Sequence, residues 1–515
     1  MLILGGGAAG LLLARHLERV DAALQIGVLD ARALPGDPEQ IRIGESLAEA
    51  ASGYLEHQLD LGEHLRTHHV PKHGLRFFFS GESIGSRSEF ASMRPGGGFW
   101  EIPFEGTNPP TFQLHRGRLE HHLAVTSGAR LLGGRQVTKV ERGRVHAGAE
   151  VFDADWVIDA SGGSLVPLGE RVRLDHAYEA TWFWTERRVD PGELSDCAEF
   201  RSRTPRDLRW RSTTHLMGPG YWVWLIPVPG GGTSVGIVGP PVEDVQAWLA
   251  DNEPELALWV GDIRPHRRSL RAWRRSAIVS DEGFGATGDA AVFLDPLYSS
   301  AFDLMAFANE FLVAAITGPE RDRARTCRTA NLLFERVVDQ YLPMYSGMYE
   351  LLGHPRVMAA KTAWDNAMYF GFVAPWLRSG EVADGLSFLR LRHTAERLAA
   401  LQTRVQKLLR DWAAAEPPSP SAKHFDQSEA RFLLGILDRL KVRHQGVELR
   451  RAMDRSLADL EVLAVALYLR AADSPPEGPI NPYGIDLHDP SDLQTGRIRV
   501  RPRPAQLQDI ARCWL

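Results

Sequence analysis

The sequence predicts an α/β fold, with a Rossmann-like domain at the N-terminus, an interleaved mixed β-sheet layer and a helical C-terminal region. Three observations predict this class. A glycine-rich turn joins a short apolar segment to an apolar helix-like segment at the start of the chain. Strand-like aromatic segments separated by turn signals follow through the middle of the chain. From Asn309 onward, apolar residues recur at helical spacing.

The glycine-rich turn GGGAAG at residues 5–10 fits the GxGxxG pattern and lies between the strand-like LIL and the helix-like LLLARHL. Glycines let the backbone approach a pyrophosphate closely, and the helix N-terminus offers unpaired N–H groups to it. A second strand-like segment ends in Asp30, an acid placed to bind a ribose hydroxyl. We therefore predict that Gly5, Gly7, Gly10 and Asp30 bind a dinucleotide.

Composition excludes several classes of protein. The chain has 515 residues, of which 44% are hydrophobic and 24% charged, as in ordinary folded domains. It has no apolar run of membrane-spanning length, and its three cysteines form no CxxC pair. The net charge of −6 does not indicate a polyanionic partner. We expect a cytoplasmic protein with no membrane, nucleic acid or metal, in which the basic run 264–276 forms ion pairs or, less simply, docks an acidic carrier protein.

Three further motifs identify the dinucleotide. The sequence GDAA at residues 288–291, followed by LDP at 294–296, resembles the GDA…DP segment of FAD-dependent aromatic hydroxylases. The sequences DASG at 159–162 and RGRLE at 116–120 resemble two other segments of that group. The resemblance implies that the cofactor is FAD, with Asp289 near its ribityl chain and Arg116 and Pro296 near its flavin ring.

The sequence YWVWLIP at residues 221–227 resembles the GWxWxIP motif of the flavin-dependent halogenases, the tryptophan and phenol halogenase family. Tyr221 stands where the motif has glycine. The resemblance implies that Trp222 and Trp224 lie beside the flavin and separate it from the organic substrate. Alternation alone also allows a strand whose two tryptophans simply pack in a core.

A lysine completes the resemblance. The sequence GES at residues 44–46 precedes KHGLRF at 72–77, as a GE(S/A)xxP segment precedes the catalytic lysine of the halogenases. In that family reduced FAD and oxygen convert halide to hypohalous acid, and the resemblance implies that Lys72 delivers this acid to an electron-rich phenol, indole or pyrrole ring. Burial would lower the pKa of such an amine. The residues alone also allow a solvated lysine in a turn.

The chain departs from the family after its DP dipeptide, where YSSA at residues 298–301 replaces the ESTG of tryptophan halogenases. Tyr298 favours the phenol and pyrrole halogenases. The resemblance implies that chloride or bromide is bound by the backbone of Ser300 and Ala301. We expect Ala301, in place of glycine, to crowd the halide or to forbid a left-handed backbone. The alternatives are a monooxygenase or oxidase of the same fold that uses no halide, and a flavin-binding protein that acts only as a scaffold.

The predicted organisation is an FAD-binding domain over residues 1–305, with substrate-layer insertions near 72–125 and 175–275, and a helical substrate-access region over 306–515. No second GxGxxG precedes a helix, which fits an enzyme that receives FADH2 from a separate flavin reductase. Trp100, Phe104 and Trp182 are candidates for stacking on a small aromatic substrate, free or tethered to a carrier protein, although a core position is the simpler interpretation. We expect a role in secondary metabolism such as antibiotic biosynthesis.

Overall fold

The computed structural model of the protein describes residues 1–80, 99–103, 111–193, 198, 202, 209–416 and 430–511. Phe104 and the loop signals of the sequence at 94–98 and 108–110 lie outside the described residues, as does the side chain of Trp100. The same holds for all but the first residue of the proline-rich segment 416–421, for which the sequence indicates a break or linker. Within the described ranges, no helix is long and apolar enough to cross a membrane.

The strands are, in chain order, β1 (Leu2–Leu4), β2 (Gly27–Leu29), β3 (Val70–Lys72), β4 (Leu75–Ser80), β5 (Phe99–Pro103), β6 (Thr111–Gln113), β7 (Arg130–Leu132), β8 (Val137–Glu141), β9 (Arg144–Ala147), β10 (Glu150–Asp153), β11 (Val157–Asp159), β12 (Arg171–Thr185), β13 (Thr213–Gly218), β14 (Tyr221–Pro227), β15 (Thr233–Gly239), β16 (His266–Arg275), β17 (Phe284–Ala286) and β18 (Val292–Phe293).

The helices are, in the same order, α1 (Ala8–Val20), α2 (Glu49–Gly53), α3 (Gly62–His68), α4 (Arg116–Thr126), α5 (Val245–Asn252), α6 (Pro254–Ala257), α7 (Ala301–Thr317), α8 (Arg323–Tyr345), α9 (Pro355–Met368), α10 (Ala374–Ser379), α11 (Gly385–Ala415), α12 (Arg431–Leu440), α13 (Gly446–Ala471) and α14 (Pro504–Ala511). Two π-helical turns, Tyr54–Gln58 and Tyr369–Val373, follow α2 and α9 directly.

The N-terminal domain contains a five-stranded sheet in the order β17-β11-β1-β2-β7, and all four pairings are parallel. Each strand is only three residues long, and β1, β2, β11 and β17 are buried throughout. Helix α1 leaves β1 through the glycine turn, and Asp30 follows β2 at the same edge. The predicted Rossmann-like order of strand, turn, helix, strand and acid is therefore confirmed.

An eight-stranded sheet forms the second layer, in the order β18-β16-β12-β15-β14-β13-β4-β5. It is mixed as predicted, because β13 pairs with β4 in parallel while the other neighbours are antiparallel. Strands β14 and β15 form a hairpin around the glycine-rich turn 229–232, with Pro227 opposite Thr233. The basic run lies mostly in β16, where Arg268, Arg274 and Arg275 form ion pairs.

Apolar residues at helical spacing over 386–414 and 430–442 form α11 and α12, and the proline-rich segment 473–479 follows α13. One continuous hydrophobic core joins β1 and α1 to the C-terminal helices and reaches Ile510. A smaller core lies on the other face of the mixed sheet, beneath α5 and α6. Strands β13, β14 and β15 are thus buried on both faces, between the continuous core and the smaller core.

Candidate functional site

The glycine turn between β1 and α1 shows why each glycine is required. Gly5 has a left-handed φ of 118°, and a Cβ atom there would lie 2.5 Å from the Ala160 carbonyl oxygen. A Cβ atom on Gly10 would lie 1.9 Å from the Gly5 carbonyl oxygen, because helix and strand pack closely. Gly7, the N-cap of α1, differs: its nearest such neighbour is an Arg32 side-chain nitrogen at 3.8 Å. The open side of Gly7 faces a cavity, where a phosphate group can approach the backbone.

Asp30 holds this turn as well as lining the cavity. The Gly6 amide donates a hydrogen bond of 2.7 Å to Asp30 Oδ2, and the Arg32 guanidinium binds both carboxylate oxygens. Burial alone would raise the pKa of Asp30, but these hydrogen bonds hold it below its ordinary value. Asp30 is therefore an ionised acceptor at the edge where a ribose hydroxyl is expected.

The cavity has a volume of about 760 Å³ and runs from the glycine turn to the mixed sheet. Its lining includes predicted residues from all the FAD motifs. These are Gly5, Gly7, Asp30, Arg116, Asp289 and Pro296, with Ser161 and Gly162 of the DASG turn. Gly10 is not in the lining, and its role is close packing. An elongated cavity with a helix N-terminus, an open glycine and a ribose-binding acid fits FAD.

Two arginines extend the binding surface. Arg116 donates to the Ile43 carbonyl at 2.8 Å and to Glu120 at 2.6 Å, which fixes its guanidinium at the cavity wall. Asp289 forms an ion pair of 2.5 Å with Arg268, which also lines the cavity. Sequence reasoning missed Arg268 as a site residue, because it stands inside the basic run. The available signal was the period of two along β16, which puts Arg268 on the same face as Leu270, another residue of the cavity wall.

The two motif tryptophans form one wall of the cavity. Strand β14 alternates, so that Trp222 and Trp224 face the cavity while Val223 and Leu225 face the smaller core. The Trp222 indole N–H donates to the Tyr349 hydroxyl at 3.1 Å. The Trp224 indole N–H donates to the Ser234 hydroxyl, also at 3.1 Å. The rings are thus both in the core and fixed against the cavity, so the two interpretations of the sequence are compatible.

Glu45, the acid of the GES segment, is a buried carboxylate at the same wall. It accepts hydrogen bonds of 2.9 Å from the Trp184 indole, the Ser234 hydroxyl and the Gly44 amide. Because Ser234 also accepts from Trp224, Glu45 anchors the tryptophan wall through one serine. Burial raises the pKa of Glu45 despite these hydrogen bonds.

The segment after the DP dipeptide differs in part from the sequence expectation. Ala301 is the first residue of α7 and Ser300 is its N-cap with a φ of −71°, so neither position is left-handed. The left-handed residue is Ser299, with a φ of 58°, a conformation that is uncommon for non-glycine residues. The expected backbone conflict at Ala301 is therefore wrong. The left-handed residue of this turn is Ser299, two residues before the position at which we expected it. Ala301 and Ser299 line the cavity, whereas the Ser300 hydroxyl is bonded to Tyr345 at 2.9 Å.

Lys72 is the last residue of β3 and its side chain is buried, with a relative exposure of 8%. Its ammonium donates to the Leu47 carbonyl at 2.8 Å and to the Ser46 hydroxyl at 3.0 Å. Ser46 lines the flavin cavity, so one hydroxyl lies between the amine and that cavity. Burial lowers the pKa of Lys72 to about 8, although two nearby carboxylates act to raise it. The solvated turn lysine is excluded.

Those carboxylates, Glu49 and Asp303, were missed by sequence reasoning. Glu49 is the first residue of α2 and Asp303 lies in the first turn of α7; both are buried. Asp303 accepts from the Ala51 amide at 2.8 Å and from the Tyr341 hydroxyl at 3.1 Å. Burial raises the pKa of Asp303 to about 7 and also raises that of Glu49. The available signal was Glu49 itself, which stands where the GE(S/A)xxP motif has proline.

The histidines near Lys72 do not form a metal site. His69 Nε2 lies 3.3 Å from His64 Nε2, and burial lowers the pKa of both rings. In the part of the chain that the structure describes, no group of three or more histidine, cysteine or acidic residues is arranged to hold a metal ion.

Comparison with known proteins finds relatives of this chain by sequence, although none by family model. No family model matches the chain. Flavin-dependent halogenase chlA of Dictyostelium discoideum is 24% identical over 436 residues, which cover 73% of this chain and 70% of the relative. The 1H-pyrrole-2-carbonyl-[peptidyl-carrier protein] chlorinase of Pseudomonas fluorescens is 25% identical over 340 residues, which cover 58% of this chain and 71% of the relative.

The fold is also that of a solved halogenase. The crystal structure of halogenase PltM in complex with phloroglucinol and FAD superposes with a TM-score of 0.58 at 16% identity, over 90% of this chain and 96% of that one. Fold, cavity and relatives define the class as an FAD-dependent enzyme. Within that class, the chain is a homologue of the flavin-dependent halogenases, and the resemblance predicted from its motifs is confirmed.

Proposed function

We propose that this protein is an FADH2- and O2-dependent halogenase that places chloride or bromide on an electron-rich aromatic ring of phenol, indole or pyrrole type. The observation that carries the proposal is the buried amine of Lys72, separated from the flavin cavity by the Ser46 hydroxyl. A buried lysine with a lowered pKa costs stability, and such groups are concentrated at functional sites.

The bound cofactor would supply oxidation: FADH2, O2, halide and one proton give FAD, hypohalous acid and water. The ring then exchanges one hydrogen for halogen and releases a second water. Lys72 would hold the hypohalous acid by hydrogen bonding and orient it toward the ring. With a pKa near 8, both the ammonium and the amine form are accessible close to neutral pH. Trp222 and Trp224 would keep the ring away from the flavin, and the backbone of Ser300 and Ala301 would bind halide.

The flavin would be held by Gly5, Gly7, Asp30, Arg116, Asp289 and Pro296, around the turn that Gly10 closes, and a separate reductase would supply FADH2. Small-aromatic and carrier-tethered substrates are both represented among the relatives, by the phloroglucinol complex and by the peptidyl-carrier chlorinase. We propose a free small aromatic substrate, and a carrier-tethered one remains the alternative.

The test compares Lys72→Met with Lys139→Met, a change at an exposed lysine of β8. Each protein receives reduced FAD, oxygen and bromide; an amine trap records hypohalous acid, and mass spectrometry records halogenated phenols, indoles and pyrroles. We expect Lys72→Met to keep the trapped acid and to lose at least about a hundredfold of halogenated product. Retained halogenation would refute the role of Lys72. A hydroxylated product formed without halide would instead establish the monooxygenase alternative.

A further inference from the structure

A second cavity, of about 560 Å³, lies in the helical region and shares no lining residue with the flavin cavity. It is enclosed by α7, α8, the π-helical turn 369–373, α10 and α11, with one residue from α13. Its wall is mainly apolar and aromatic and includes Phe307, Val337, Phe372, Leu391, Leu398 and Met453. Leu332 and Leu389 also line it and are 44% and 63% exposed, so the cavity opens to the surface there.

Several polar residues also line the cavity, four of them as the ion pairs Arg336–Asp339 and Arg392–Glu396, together with Thr394. Two more lining residues carry buried polar atoms without a hydrogen-bond partner. Gln340 and Trp376 both line the cavity, and Gln340 Oε1 and Trp376 Nε1 are buried with no hydrogen-bond partner among the residues the structure describes. A buried polar atom without a partner is costly, and in native proteins such atoms are usually satisfied by a ligand, an ion or water. One is an acceptor and the other a donor, which matches the two hydrogen-bonding functions of a hydroxyl group.

Three elements that line the cavity also carry the buried carboxylates beside Lys72, Glu49 and Asp303, or their hydrogen-bond partners. On α7, Asp303 is one of these carboxylates and Phe307, one turn later, lines the cavity. On α8, Tyr341 donates to Asp303 while Gln340 beside it lines the cavity. In the π-helical turn, the Tyr369 hydroxyl accepts from the Ala50 amide beside Glu49, and Phe372 lines the cavity. π-Helical turns occur frequently at functional sites.

From these observations, and resting on the proposed halogenase function, we propose that this cavity binds the aromatic substrate and that the substrate is a phenol carrying an apolar substituent. The hydroxyl would donate to Gln340 and accept from Trp376. An apolar cavity of about 150 Å³ already accommodates benzene, so 560 Å³ has room for a ring and an alkyl or aryl group.

The binding test needs no flavin. The full chain is titrated by calorimetry with para-butylphenol and with butylbenzene, which lacks the hydroxyl. We expect the phenol to bind and butylbenzene to bind roughly threefold to tenfold more weakly, the value of one or two hydrogen bonds. Ala399→Trp, which fills the cavity, should abolish binding, whereas Ala400→Trp on the exposed side of α11 should not. Trp376→Phe, which keeps the ring and removes the donor, should weaken phenol binding roughly threefold and leave butylbenzene unchanged.

The catalytic test distinguishes a failure of the cavity proposal from a failure of the proposed halogenase function. In the amine-trap assay, Ala399→Trp should form hypohalous acid at the wild-type rate and raise KM for para-butylphenol at least about tenfold. An unchanged KM, or phenol binding that Ala399→Trp does not affect, would overturn the cavity proposal while leaving the halogenase intact. Absence of hypohalous acid from the wild type would refute the halogenase function, and the calorimetric result would still decide whether the cavity binds phenols.

Discussion

The burial of Lys72, on which its proposed role depends, costs stability. Its pKa falls from 10.5 to about 8 because burial disfavours the ammonium. This fall in the pKa corresponds to a cost of roughly 3 kcal/mol at neutral pH, partly offset by the hydrogen bonds to Ser46 and Leu47. We therefore expect Lys72→Met to raise the free energy of unfolding by about 1–2 kcal/mol at pH 7 while it removes halogenation.

The pH dependence of that gain identifies its cause. Folding releases protons from a lysine whose pKa is lowered, so the penalty is complete below about pH 8 and disappears as pH rises toward 10.5. Urea unfolding of Lys72→Met and wild type at pH 7 and about pH 10 measures this difference. A stability gain that does not change with pH would show that packing, not the buried charge, is responsible.

Glu49 sets the protonation of Lys72 from a neighbouring element. Its carboxylate acts to raise the pKa of Lys72, so Glu49→Gln should lower that pKa further, by roughly one unit. Nuclear magnetic resonance of lysine labelled with ¹³C at Cε resolves this, because the chain has six lysines and Lys72→Met assigns the signal. In Glu49→Gln, the limb of the halogenation pH profile that reports the titration of Lys72 should move to lower pH. An unshifted lysine titration would remove Glu49 from the site.

The residues of the site divide by how they could be predicted. Gly5, Gly7 and Asp30 follow local spacing rules, because the turn between a strand and a helix imposes its requirements within a few positions. The expected role of Trp222 came from the family resemblance, since strand alternation alone also allowed a core position. Asp303 obeys no local rule: it meets Ala51 across 252 positions of sequence. Its burial, and therefore its raised pKa, exists only after α2 and α7 have packed.

At the scale of elements, the proposed halide site lies at the N-terminus of α7. The first N–H groups of a helix lack intrahelical partners and the dipole there is positive, so anions are favoured beside Ser300 and Ala301. Ala301→Asp should stabilise α7 by about 0.5 kcal/mol through the same dipole, yet lower halide use at least about tenfold by charge repulsion.

Ala301→Asn is the matched neutral control for that carboxylate. Bromide dependence of trapped hypohalous acid gives the halide effect, and thermal unfolding gives the stability effect. Equal bromide dependence in Ala301→Asp and Ala301→Asn would place the halide elsewhere in the cavity.

Two glycines of the turn between β1 and α1 have different roles, one in folding and the other in cofactor binding. Gly10→Ala would drive a Cβ atom into the Gly5 carbonyl, and we expect it to cost more than about 2 kcal/mol of stability. Gly7→Ala meets no atom closer than 3.8 Å and should fold normally, but its methyl group occupies the approach of the pyrophosphate. Flavin fluorescence titration should show FAD affinity falling at least about tenfold in Gly7→Ala. Wild-type affinity would mean that the phosphates take another path.

At the scale of the whole molecule, the sequence predicts a flavin-binding part and a separate helical part. In the structure, one continuous hydrophobic core is shared by both parts. The same continuous core contains β1, α7, α8 and the C-terminal helices, because Phe302, Phe307 and Phe311 of α7 pack toward both sides. Periodicity reveals each helix, but the sharing of one core between segments hundreds of residues apart is a tertiary property. A boundary near residue 305 would cut through α7 itself.

A shared core predicts that FAD stabilises the helical region as well as the domain that holds it. At a free FAD concentration of about one hundred times Kd, binding should add about 2.7 kcal/mol to the free energy of unfolding. In a background in which Trp364, Trp376 and Trp412 of the C-terminal helices are replaced by Phe, tryptophan fluorescence reports sheet residues such as Trp222 and Trp224. Far-ultraviolet circular dichroism is dominated by the helices, and the two signals should shift together in urea. Gly7→Ala, whose FAD affinity should be at least about tenfold lower, should gain no more than about 1.4 kcal/mol at the same FAD concentration. If fluorescence alone shifted, the helical region would unfold independently, and a substrate cavity within α7, α8 and α11 would be uncoupled from the flavin that it is proposed to serve.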